Sequence, residues 1–152
     1  QGIQPVISYN LGKKNHKNLK DILKISIIFL GVLGIFSFIF ISLFSEYIGK
    51  IFFREQDMIS YVKIVLRIYS LSYIFIGINI FVSAYLTAIK KVIYSALISF
   101  PRGILFNSIL LLILPNIFGN KIIWIVSFLS EILTILICVY LLKKIKREGI
   151  LS

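Results

Sequence analysis

Four stretches of the chain are nearly free of charge, Ile25 to Ser45, Ile68 to Ala88, Val92 to Leu114 and Ile122 to Leu142, and polar or basic clusters separate them. Each runs 21 to 23 residues, which as a helix rising about 1.5 Å per residue crosses the roughly 30 Å hydrocarbon core of a bilayer. Isoleucine, valine and phenylalanine dominate these runs and would favour strands in water. In lipid an unpaired backbone group is so unfavourable that runs of this length are read as helices, and the alternation a β-barrel requires is missing. The pattern predicts an all-α integral membrane protein, a polytopic bundle of four full transmembrane helices. A shorter apolar segment, QGIQPVISYNLG, precedes them and adds the end of a fifth.

Composition agrees with this picture. Hydrophobic residues make up 59% of the chain, charged residues 15%, and the mean hydropathy is +0.97; about half apolar is usual for soluble domains. The net charge of +11 admits nucleic acid, anionic lipid or membrane topology as its meaning, and position decides among them. Lys13, Lys14, Lys17, Lys20, Lys24, Lys90, Lys91, Lys143, Lys144, Lys146 and Arg147 fall on one side of the four-span arrangement. Lys50, Arg54, Lys63 and Lys121 fall on the other, offset by Glu46, Glu55 and Asp57. The positive-inside rule makes the first group cytoplasmic, with the C-terminus inside and residues 44–60 outside. Arg67 is expected to snorkel at a boundary. Tyr47, Tyr61 and Trp124 on the outer side, and Tyr94 and Tyr140 on the inner, fit an aromatic belt. No basic surface interleaved with aromatics is present, so nucleic-acid binding fits poorly.

With Lys13 to Lys24 inside, the opening segment must descend from the outer side, and it supplies only about ten residues of such a helix. The expectation is that the sequence is a piece of a larger protein. Within that segment Pro5 lacks a backbone donor and is expected to bend or break the helix. Gln1, Gln4 and Ser8 share one helical face. Gln4 and Pro5 are candidates for a cavity surface, whereas Asn10 and Gly12 read more simply as a helix end with Gly12 as its cap.

Candidate chemistry is sparse. The single Cys138 lies inside an apolar run, and the single His16 lies in GKKNHKNLK with no other metal-ligating residue type beside it, so no metal site or disulfide is expected. No nucleophile with a base, phosphate-cradling glycine loop or carboxylate pair is visible, and the sequence does not read as an enzyme. Two charges do fall near mid-membrane, Arg102 and Glu131, on consecutive antiparallel spans that are normally neighbours. A lone charge there is worth at least about 2.5 kcal/mol of insertion penalty. Either the two line a substrate or proton site, or they form an interhelix ion pair that stabilises the lobe; pairing reduces the desolvation penalty without any transport role, which favours the second. An arginine bonded to carbonyls near Pro101 is a variant of the same idea. Asn79, Ser83 and Thr87 form one stripe of the second long run, and Asn107 with Ser108 sits deep in the third; interhelix hydrogen bonding is the simpler reading, a cavity role the next.

The string from Gln4 to Lys13, QPVISYNLGK, resembles the QPxxSYNxG signature at the end of the eighth helix of the multidrug and toxic compound extrusion (MATE) transporters. Phe52-Phe53-Arg54-Glu55-Gln56-Asp57 with Leu66-Arg67-Ile68 is similar to the family's external loop, and Gly77-Ile78-Asn79 with Ala88-Ile89-Lys90-Lys91 to its tenth helix and following turn. Arg102-Gly103, Leu114-Pro115-Asn116-Ile117-Phe118-Gly119, Trp124 and Glu131 follow the order of its last two helices. Two positions depart from the pattern: Pro101 stands where a serine is common, and Ile122 where a glycine is usual. The resemblance implies the C-terminal lobe, from the end of helix eight through helix twelve, of a twelve-helix protein of two six-helix lobes, residues 1–152 being a partial lobe that works with a first lobe of the same chain. It implies a multi-pass cell-membrane antiporter exporting drugs or other organic, often cationic, compounds against protons or sodium ions, with no cofactor beyond that coupling ion. The coupling acids of the family lie largely in the first lobe or in helices seven and ten, and Ile68 to Ala88 holds no acid, so these residues alone are not expected to transport. A lipid-linked oligosaccharide flippase of the same superfamily and a non-transporting membrane scaffold are the alternatives. High isoleucine and lysine usage associates with A+T-rich bacterial genomes.

Overall fold

A computed structural model of the chain describes residues 2–147; Gln1, the first member of the expected polar face, lies outside them. Among the described residues the chain is helical with short connections: α1 (Gln4–Gly12), α2 (His16–Phe52), α3 (Gln56–Ser70), α4 (Tyr73–Ala88), α5 (Val92–Phe100), a π-helical turn (Pro101–Leu105), α6 (Phe106–Phe118), a 3₁₀ turn (Asn120–Ile122) and α7 (Ile123–Arg147). Four continuous helical stretches, His16–Phe52, Gln56–Ala88, Val92–Phe118 and Asn120–Arg147, are long and apolar enough to cross a membrane. Each exceeds the apolar run that predicted it, because charged and polar turns continue the helix beyond the hydrocarbon thickness. At 37 residues, α2 is about 55 Å long, and its first turns carry Lys17, Lys20 and Lys24.

The bundle is organised around α4. It packs against α2, α1, α5 and α7, while α3 packs on α2 and α6 on α7. The largest side chains that are fully buried gather near the basic end: Tyr85 and Leu86 of α4, Leu19 of α2, Ile7 of α1, Ile98 of α5 and Ile145 of α7. The Tyr85 hydroxyl donates to the Leu19 carbonyl at 3.2 Å, so the one large polar atom in that cluster is satisfied. Elsewhere the helices present apolar side chains outward. Ile28, Val32, Ile35, Phe36, Ile39 and Leu43 run along the exposed face of α2, as expected where lipid replaces water.

Two connections at the basic end share one solution. At the end of α1 the Asn15 N–H reaches the Asn10 carbonyl and the Lys14 N–H the Leu11 carbonyl; at the end of α4 the Lys91 N–H reaches Leu86 and the Lys90 N–H reaches Thr87. Both are Schellman closures, with Lys14 (φ 54°) and Lys90 (φ 63°) in the left-handed position. Gly12 is therefore the last helical residue of α1 and not its left-handed cap. Asn15 then caps α2 by accepting from the Asn18 N–H at 3.1 Å. Pro5 sits in the first turn of the described part of α1, and the helix runs from there to Gly12 without a break.

At Gly34 the backbones of α2 and α4 come close together. A Cβ added to Gly34 would come within 2.6 Å of the Tyr73 carbonyl oxygen and 2.8 Å of the Ile74 Cα, so only glycine lets the two backbones meet. The neighbouring chain at Leu71–Ser72 tightens to i→i+3 bonding, with Leu71 N–H to Ile68 and Ser72 N–H to Tyr69. Buried Ser70 and Ser72 turn their hydroxyls back to the Arg67 and Tyr69 carbonyls. Arg67 Nε donates to the Ser42 carbonyl of α2 at 3.1 Å. Replacing Gly34→Ala is expected to lower stability by about 1–3 kcal/mol. Gly31→Ala, which would meet only Ile78 Cδ1 at 3.9 Å, should leave it unchanged or slightly raised; melting temperatures of the purified protein in detergent check both.

Candidate functional site

The third spanning helix changes character at Pro101. Proline has no N–H to return to the carbonyl one turn back, and over Pro101–Leu105 the ladder opens to π geometry, the Phe106 N–H bonding the Pro101 carbonyl. The widened turn leaves the Arg102 carbonyl short of a partner, and Asn107 Nδ2 supplies one at 3.0 Å. Asn107 thus serves its own helix rather than a neighbour. The other departure from the family pattern, Ile122, likewise lies in non-α backbone. It ends the 3₁₀ turn after Gly119, whose φ of 81° and ψ of 169° suit glycine alone.

Arg102 and Glu131 meet. Arg102 Nε donates to Glu131 Oε1 at 2.9 Å and Oε2 at 3.1 Å. Glu131 is nearly sealed, its side chain 7% exposed against 26% for Arg102. Asn79 of α4 completes the cluster: its amide Nδ2 donates both to Glu131 Oε2 at 2.7 Å and to the Glu131 backbone carbonyl at 3.0 Å. The Asn79 carbonyl oxygen in turn accepts a weak bond from Cys138 Sγ at 3.5 Å. One carboxylate therefore joins α4, the π turn and α7, and Asn79 is buried completely. A charge held this way avoids most of the penalty of isolation in hydrocarbon, because each carboxylate oxygen has a donor and the guanidinium has its counter-ion.

Ser83 and Thr87, one and two turns beyond Asn79, form a second polar seam. Ser83 Oγ lies 2.8 Å from Ser95 Oγ and 2.7 Å from Ser99 Oγ. Thr87 Oγ1 donates to Ser95 Oγ at 2.8 Å. Ser95 and Ser99 went unnoticed in the sequence, although their own i, i+4 spacing on α5 faces the stripe on α4. Cys138 too was read only as an apolar residue. Its pairing with Asn79 depends on two helices distant in sequence, and no local pattern announces it.

The remaining expected site residues lie apart from this cluster. Asn10 is nearly buried; its amide donates to the Val6 carbonyl at 2.8 Å, and its oxygen accepts from Asn18 Nδ2 at 3.2 Å, tying α1 to α2. Half-buried Gln4 lines a hollow of about 420 Å³ with Gly77, Phe81 and Ser83. Pro5 is exposed. Ser8 reaches across to the Ala88 carbonyl at 3.3 Å. At the opposite end Trp124 Nε1 donates to the Tyr61 hydroxyl at 2.9 Å, setting two expected belt residues at one level, and Glu46 bridges Lys50 and Lys63.

Four bilayer-length apolar helices, with an ion pair linking two of them, make a polytopic membrane protein. A family model described as MatE matches residues 1–113, and the chain belongs to that family of membrane transporters, which move small molecules and are not enzymes. No curated protein and no solved structure matches the chain. The matched stretch takes in α1 through most of α6, with Asn79 and Arg102, and stops short of Glu131.

Removing one partner of the pair strands the other. Glu131→Met and Arg102→Met are each expected to destabilise the protein, the first by about 3–5 kcal/mol, and the two changes together should recover much of that loss. Thermal unfolding of the purified variants in detergent measures both, and an additive double variant would show that the two side chains do not depend on each other.

Proposed function

We propose that residues 1–152 are the end of helix eight through helix twelve of a two-lobe antiporter, exporting drugs or other organic, often cationic, compounds in exchange for protons or sodium ions. The observation that carries this reading is the family match over residues 1–113. The ordered motifs from QPVISYNLG to Glu131 extend it through the rest of the chain. In this reading the basic end, with Lys14, Lys90 and Lys144, faces the cytoplasm of a bacterial cell, and the first lobe of the same protein covers part of the exposed apolar surface.

The Arg102–Glu131–Asn79 cluster then serves as an internal brace. Alternating access of this kind moves lobes as rigid units, and a lobe that rocks against its partner must not shear internally. A carboxylate on α7 that is bonded to both α4 and the π turn resists such shear. Gln4, at the hollow beside Gly77 and Ser83, is the candidate for the surface turned toward the substrate path.

Efflux in cells producing the full-length protein tests the reading. Expected is gradient-dependent extrusion of a cationic dye, abolished by collapsing the proton and sodium gradients. No gain in extrusion would favour a flippase or a scaffold instead. The exchange of Arg102→Glu with Glu131→Arg separates the two roles of the pair: as a brace it should restore both protein level and efflux toward the parent, whereas a pair that itself takes substrate or proton would regain protein level with efflux still lost.

A further inference from the structure

We infer that the groove between α2 and α7 at the basic end is a binding site for one anionic phospholipid. Its volume is about 570 Å³, and it opens because the two helices do not pack directly: no Cα of one comes within 8 Å of a Cα of the other. Four lysines rim it, two from each wall. Lys20 and Lys24 stand one turn apart on α2, and Lys143 and Lys146 one turn apart on α7. All four are exposed, and none forms an ion pair among the described residues.

The floor has the opposite chemistry. Leu23, Ile27, Ile28 and Leu142 line it, and Ile27 and Ile28 lie at the start of the apolar run of α2 that enters the hydrocarbon. Within about one turn the groove passes from ammonium groups to a purely aliphatic surface. A soluble anion such as phosphate finds counter-charge at the rim but leaves the floor wet. A zwitterionic lipid covers the floor but brings no net negative charge to the four ammonium groups, its phosphate being balanced by its own cation. An acidic headgroup joined to an acyl chain meets both demands, since lysines near a membrane surface attract anionic lipid and basic pockets between transmembrane helices hold such headgroups. The site is independent of what the protein transports; it requires a bilayer and a groove that the rest of the full-length protein leaves open.

The test uses the purified full-length protein in phosphatidylcholine nanodiscs doped with phosphatidylglycerol, with retained lipid counted by native mass spectrometry after release into detergent. One phosphatidylglycerol should stay bound to the parent. Replacing Lys20, Lys24, Lys143 and Lys146 together by Gln should weaken that retention at least about tenfold. Replacing four other cations of the same end, Lys13, Lys14, Lys17 and Lys90, by Gln should leave it unchanged. Equal loss in both variants would reduce the effect to the general positive potential of that end and overturn the site. So would undiminished retention in the groove variant, or displacement of the lipid by inorganic phosphate alone.

Discussion

In a bilayer every polar group must find its partner inside the protein, and the arrangement of this chain follows from how that is met at Glu131. A carboxylate at mid-depth needs donors from more than one direction. The nearest lie on different helices: a guanidinium on the π turn and an amide on α4. Once those three are in register, the spacing of α7 against α4 is set at that level, and the hydroxyl seam of Ser83, Thr87, Ser95 and Ser99 sets α4 against α5 one turn further on. Apolar packing between helices in lipid has little hydrophobic drive of its own, so these few directional contacts decide which helix faces which.

Glycine and serine play the complementary part on the other side of α4. There the contact with α2 is made by removing side chain rather than adding polar groups, and the buried hydroxyls of Ser70 and Ser72 close on their own helix. The bundle thus uses polar linkage on one flank and close backbone approach on the other. Its outer faces, such as the aliphatic row of α2, are left to lipid or to neighbouring protein.

Much of this was legible in the sequence because membrane constraints act locally. Run length gave four spans, lysine placement gave the shared basic end, and two charges on consecutive antiparallel helices could be expected to meet. What stayed hidden depends on geometry that a single stretch does not encode. Asn79 carries no sign that it will clasp a carboxylate 52 positions away, and Asn107 reads as an interhelix residue until the π turn exposes a carbonyl within its own helix. Gly12 has the right residue type for a cap, yet the left-handed position falls on Lys14, since the closing bonds to Asn10 and Leu11 set where the helix stops.

The π turn at Pro101–Leu105 has a consequence beyond the carbonyl it frees. One residue more per turn advances the helix surface by about 100° relative to a regular helix, so the stripe that faces inward below the turn is out of phase with the stripe that faces inward above it. That is why α5 can rest on α4 while α6, in the same span, rests on α7. The third span is in effect two half-helices keyed to different neighbours, and Arg102 sits at the point where the key changes.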